Sequence, residues 1–291
     1  MKKVALLILI GLSLATPLAA ADSPKGTLFI IGGGDYPDAM MKRFIDLAER
    51  FQSGRIVVFP MASDEPAESG QRKVDEMKKL GAKNVEYHIL THAQAMAGGS
   101  DAILDNVGGV FFGGGDQALL TAALLDTPIH KKLLELYRQG AVIGGTSAGA
   151  AVMSEIMITG DERKHPGGEE EEAEKFTTIE AGNIITAQGF GFITSAIIDQ
   201  HHVARKRLNR LICVVAEQRK LLGVGIDEAT AIVVAPDDTF DVVGESCVLV
   251  FDPSRARVEI PDDKRIRVED LTLHILTHGA RYSLKDRKVV H

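Results

Sequence analysis

Short runs of apolar, β-prone residues alternate with longer amphipathic stretches from residue 26 to residue 145. Residues 27–31, 55–60, 85–90, 109–112 and 141–144 are expected as strands, and 39–51, 67–80 and 131–139 carry helical spacing. Strands such as Ile56-Val57-Val58-Phe59 are apolar at every position, which suits a parallel sheet covered on both faces by helices. Farther on, 196–199 reads as a strand, 204–218 as a helix and 222–235 as strand and turn, and the chain is β-rich from 239 onward. The expected fold class is α/β, a doubly wound, mostly parallel sheet with a β-rich C-terminal extension.

The first residues do not fit that scheme. Lys2 and Lys3 precede an uncharged, mostly apolar run from 4 to 15, and small residues from 16 to 21 offer a cleavage site before Asp22. This is the pattern of a signal peptide, so 1–21 is expected to be removed and 22–291 to form a single domain, secreted or periplasmic and not membrane-bound afterwards. Removing the two lysines leaves 31 basic residues against 40 acidic ones, a net charge of −9. That balance argues against nucleic acid as a partner and is compatible with a cationic substrate. The composition breaks from 161 to 175, and this stretch with its acidic run 169–172 reads as a solvated loop, with recruitment of a cationic polymer as the sharper alternative. Cys213 and Cys247 lie in apolar surroundings and read as small core side chains, although export would permit a disulfide.

Ligands of open parallel sheets bind beyond the C-terminal strand ends. Three such ends are marked here, two by Gly32-Gly33-Gly34-Asp35 and Gly113-Gly114-Gly115-Asp116, and one by Gly145-Thr146-Ser147-Ala148-Gly149. The last matches G-x-S-x-G, with a strand before it and helix-prone residues from 148 to 156 after it, the setting of a nucleophile elbow at Ser147. A serine hydroxyl needs a base and an orienting carboxylate. His201 and His202 follow a strand end on the same rim, whereas His130 and His165 read as solvated. Asp227 and Glu228 are the carboxylate candidates, and spacing does not choose between them. No cofactor is expected, because Gly32-Gly33-Gly34 is not a dinucleotide fingerprint, and the histidines and cysteines lack the spacing of a metal site.

Several motifs in this order resemble those of cyanophycinases, members of the serine peptidase family that also contains aspartyl dipeptidases. They are Gly113-Gly114-Gly115-Asp116-Gln117, the Ser147 motif, Asp199-Gln200-His201, the series Arg205, Arg207, Arg210, and Gly225-Ile226-Asp227-Glu228-Ala229-Thr230. The resemblance implies a flavodoxin-like fold of the class I glutamine amidotransferase type and a homodimer. It further implies Ser147 as nucleophile, His201 as general base and acid, Glu228 orienting it, and an oxyanion hole from the backbone N–H groups of Ala148 and Gly115. Asp116, Gln117, Asp199, Gln200, Arg205, Arg207 and Arg210 are then implied to bind substrate.

The substrate so implied is cyanophycin, a polyaspartate chain with arginine joined to each β-carboxyl, released as β-aspartyl-arginine dipeptides. Arginines suit its carboxylates, and Asp and Gln suit its guanidinium groups. Asp116-Gln117 resembles the cyanophycinase version of the glycine turn, since aspartyl dipeptidases commonly carry Asn at the position of Asp116. His202 departs from the family, which commonly has Phe there; motif alignment favours His201, though either imidazole is chemically competent. The competing readings are an aspartyl dipeptidase acting on short peptides and a secreted binding protein of the same fold.

Overall fold

A computed structural model describes residues 24–164 and 176–291; the leader 1–21, His165 and the acidic run 169–172 lie outside the described residues. The first half of the chain alternates strand and helix: β1 (Thr27–Ile31), α1 (Asp38–Ala48), β2 (Arg55–Phe59), α2 (Pro66–Lys79), β3 (Val85–Tyr87), α3 (His92–Met96), β4 (Val107–Phe112), α4 (Gln117–Leu124), α5 (Pro128–Gln139), β5 (Val142–Thr146) and α6 (Ala148–Ala151). A hairpin follows, β6 (Ile156–Glu162) with β7 (Ile184–Gln188), then β8 (Ala196–Gln200), α7 (Leu208–Glu217) and β9 (Leu222–Ile226). The remainder is β-rich, with β10 (Thr230–Val234), β11 (Thr239–Gly244), β12 (Cys247–Asp252), β13 (Arg257–Glu259), β14 (Arg267–Glu269), β15 (Thr272–Thr277), β16 (Arg281–Ser283) and β17 (Lys288–Val290).

The nine-stranded sheet runs β17-β16-β11-β10-β1-β5-β4-β2-β3. The five strands of the first half pair in parallel, and the C-terminal strands extend the sheet antiparallel from β1. Alternation of side chains explains why this sheet needs cover on both faces. Leu28 and Ile30 point into one core and Phe29 and Ile31 into the other, as do Val57 and Phe59 against Ile56 and Val58. Helices α1 and α2 cover the second core with Phe44, Ile45, Val74 and Met77; α4 and α5 cover the first with Leu120, Leu124, Ile129 and Leu133.

A second sheet, β15-β12-β9-β8, contains the parallel pair β8–β9 joined by α7, whose Leu211 and Val215 pack beneath it with Ile197 and Phe251. The link from β9 to β10 passes from this sheet into the larger one, because β10 pairs with β1. Cys213 is buried in this third core and Cys247 half-buried at its margin, and the two are free thiols. Among the described residues no helix is long and apolar enough to cross a membrane.

Several boundaries differ from the expected ones. The helix expected from 204 begins at Leu208, because 201–207 forms a tight turn. The strand expected to reach 90 stops at Tyr87. Helix α6 has four residues and ends at Ala151, well short of 156, so any electrostatic help to Ser147 comes from local N–H groups and not from a long helix dipole.

Phe44 is the centre of the core under α1, edge-on to Phe29 at 6.1 Å and to Phe111 at 5.3 Å. Phe44→Ala is expected to lower unfolding free energy by about 3–5 kcal/mol, read from the shift of the urea midpoint at unchanged m-value.

Candidate active site

Strands β1, β5 and β4 are neighbours, so the three glycine-bearing turns at their C-terminal ends meet. Ser147 leaves β5 with φ 55° and ψ −110°, a strained geometry for a residue with a side chain. The strain is held by packing: Ser147 N–H donates to Ile31 O at 3.1 Å, and a Cβ on Gly149 would lie 2.3 Å from the Phe112 carbonyl. His201 follows β8 with φ 48°, and Ala229, one residue past Glu228, has φ 51°.

The β1 turn ties these pieces together. Gly32 O accepts from His201 N–H at 2.8 Å, Gly33 O accepts from Ala229 N–H at 3.0 Å, and Gly32 N–H donates to Thr230 O at 2.9 Å. Gly33 has φ 112°, and a Cβ there would stand 2.3 Å from the His201 ring, so only glycine fits. The result is a hydrogen-bonded line. Ser147 Oγ lies 2.9 Å from His201 Nε2, and His201 Nδ1 lies 2.5 Å from Glu228 Oε1. A proton on Nδ1, donated to the carboxylate, leaves Nε2 to accept the serine hydroxyl.

Burial lowers the His201 pKa from its ordinary 6.5; the hydrogen bond to Glu228 opposes this, and the charges of Arg205 and Arg207 add to the lowering. The imidazole is therefore neutral at pH 7. His202 faces away from Ser147. Its Nδ1 lies 3.0 Å from Asp199, its ring packs edge-on to Phe251, and it is 1% exposed. Asp227, the other carboxylate candidate, serves the backbone instead. It accepts from the amides of Val203 at 3.0 Å and Ala204 at 2.8 Å and from Ser246 Oγ at 2.7 Å, fixing the turn after His201. Burial raises its pKa, but the Ser246 hydroxyl and the turn amides outweigh that and hold it low.

Two cavities meet at Ser147 and Arg205. One, of about 730 Å³, is lined by Gly33, Gly114, His201, Tyr36 and Lys73 among others. The other, of about 230 Å³, is lined by Gly115, Asp116, Gln117, Gln200, Arg207, Arg210 and the segment Thr159-Gly160-Asp161. Of the expected binding residues, Asp199 lines neither and its side chain has no exposed surface. Its carboxylate is bonded to Arg210 Nε and Nη2 and to His202. The expectation that Asp199 touches substrate is corrected, because a fully paired, fully buried carboxylate holds Arg210 in place. Burial would raise its pKa, but Arg210 and His202 hold it well below the usual carboxylate range.

The others are partly engaged. Gln200 Oε1 accepts from Arg207 at 2.7 Å, Gln117 Nε2 donates to Ile158 O, and Asp116 caps α4 by accepting from Ala118 N–H at 2.7 Å. His130 is also not solvated as expected, being 9% exposed with Nε2 2.9 Å from Phe190 O. Sequence reasoning missed the Lys73 wall, and it read Asp161 as the start of a solvated loop, whereas Asp161 belongs to β6 and lines the smaller cavity with Thr159 and Gly160. Lys73 Nζ donates to Tyr36 and Glu76, both at 2.6 Å.

Residues 28–242 match the family model described as Peptidase family S51, which is most of the chain. The chain belongs to peptidase family S51. This S51 peptidase is 34% identical over 289 residues to a protein named cyanophycinase from Nostoc sp., an alignment covering 96% of this chain and 91% of the relative. It is 30% identical over 270 residues to a cyanophycinase from Geminocystis herdmanii, covering 90% and 94%. Among solved structures it is similar in fold to a peptidase from an acI-B1 Actinobacterium, with TM-score 0.62, 20% identity, and 90% and 98% of the two chains covered.

Two outcomes follow from the site of this S51 peptidase. Arg210→Met leaves the Asp199 charge buried without its partner and is expected to cost about 3–5 kcal/mol of stability by urea denaturation. His201, neutral when native, should titrate by NMR with a midpoint below 6.5. Because that pKa is depressed, its contribution to stability is fully present above the unfolded value and is lost as pH falls through the folded one.

Proposed function

We propose that this peptidase hydrolyses cyanophycin to β-aspartyl-arginine dipeptides, with Ser147 as nucleophile. The observation that carries the reading is the line Ser147–His201–Glu228 placed where a large cavity and an arginine-lined one meet. His201 takes the serine proton as Oγ attacks a backbone carbonyl of the polymer, and Glu228 stabilises the imidazolium so formed. The N–H groups of Ala148 and Gly115 receive the oxyanion, and collapse to an acyl-enzyme expels the amine, which takes the proton from His201. Water, deprotonated by the same histidine, then releases the product.

Arg205, Arg207 and Arg210 suit the free carboxylates of the arginine branches. The relatives named cyanophycinase support the polymer as substrate. Export belongs to the same proposal, supported by Lys2-Lys3 and the apolar run after them, as does the homodimer implied by the family resemblance.

Product analysis of purified cyanophycin incubated with the protein tests the reading. Release of β-aspartyl-arginine is expected, and Ser147→Ala or His201→Ala should lower kcat by on the order of 10⁴ while Ser147→Ala still binds polymer. Hydrolysis of free α-aspartyl dipeptides with the polymer left intact would refute it.

A further inference from the structure

The candidates for receiving the substrate guanidinium group are largely occupied by internal bonds. Asp199 is sealed under Arg210, the Gln200 carbonyl is held by Arg207, and Asp116 caps a helix. The small cavity nevertheless has one further carboxylate in its lining, Asp161. It is exposed, and among the described residues its side chain makes no hydrogen bond or ion pair.

Its position is built by a backbone irregularity. The β6–β7 ladder is regular from Ile156 to Ile158 and shifts register before Glu162, so Thr159, Gly160 and Asp161 bulge out of the pairing. Bulges of this kind re-aim side chains beside active sites. Gly160 has φ 98°, and Gln117 Nε2 pins the segment by donating to the carbonyls of Ile158 at 2.9 Å and Thr159 at 2.5 Å. Arg210 lines the same cavity; it is 1% exposed, and among the described residues its buried Nη1 has no hydrogen-bond partner. A guanidinium nitrogen without an acceptor favours an anionic group from outside, and the unpaired Asp161 carboxylate in the same lining favours a cationic one.

We infer that Asp161 is a specificity-determining residue that receives the guanidinium of an arginine branch, while the arginine cluster holds the carboxylate of the same unit. The inference rests on the proposed function and names the residue that selects the substrate's cationic group. A ligand that carries both charges, as an arginine unit does, satisfies both groups of the one cavity at once. Gln117 is then a positioning residue that acts through the bulge.

The test compares the dimer of β-aspartyl-arginine units with its citrulline counterpart, in which a neutral urea of the same shape replaces each guanidinium. Calorimetric binding to Ser147→Ala is expected to favour the arginine form by about 10–100-fold, the weight of a charge-assisted hydrogen bond. Ser147→Ala/Asp161→Asn should bring that ratio close to one, with a melting temperature unchanged from Ser147→Ala. In the enzyme with Ser147 intact, Asp161→Asn should raise KM for the arginine form with a small change in kcat. A ratio unaltered by Asp161→Asn, equal binding of both forms by Ser147→Ala, or no binding of either overturns the inference. Selective binding lost in Asp161→Asn, but without turnover in the unmodified protein, upholds the inference and rejects the hydrolase reading.

Discussion

The site depends on one bracket, the turn after β1. Its backbone accepts from His201 and Ala229 and donates to Thr230, so a single stretch of glycines holds the residues before and after two different strands of two different sheets. Ser147 is tied to the end of the same strand through Ile31. Three residues at positive φ, Ser147, His201 and Ala229, persist because each is fixed by at least one of these bonds. The imidazole sits against Gly33 with no room for a Cβ, which fixes its ring as well as its backbone.

A second level of support lies beneath the first. Asp227 caps the turn that follows His201, and Asp199 locks Arg210 and His202 beneath the second sheet. Neither carboxylate lines the two cavities that meet at Ser147, yet Asp199 is bonded to Arg210 and His202 and Asp227 to the turn after His201. The sequence run Ile226-Asp227-Glu228-Ala229 therefore divides its work: Asp227 positions backbone, and Glu228 meets the histidine.

Much of this was legible in the chain itself. The parallel half of the large sheet follows from strands apolar at every position, because only a doubly covered sheet buries both Ile56 and Val57. Ser147 was legible from its glycines and its strand. Spacing left the partners as alternatives and the family resemblance favoured His201 and Glu228, since His201 differs from His202, and Glu228 from Asp227, by which way a turn directs a side chain, and that is set by contacts distant in sequence. The buried role of Asp199 was hidden for the same reason: a motif names residues, but burial under α7 decides whether a carboxylate meets substrate or an internal arginine. The bulge at Thr159–Asp161 had no local signature beyond Gly160, because it arises from a register shift against β7 and a bond to Ile158 from Gln117, 41 residues away.

The arrangement of Ser147 and His201 is tested most directly by labelling with a fluorophosphonate, which reacts with a serine whose proton is being withdrawn. Peptide mass analysis should find the label on Ser147 alone, blocked by excess cyanophycin and lost in His201→Ala but retained in His202→Gln. Label on another residue, no label at all, or labelling that survives His201→Ala would contradict the assignment of Ser147 as a nucleophile activated by His201.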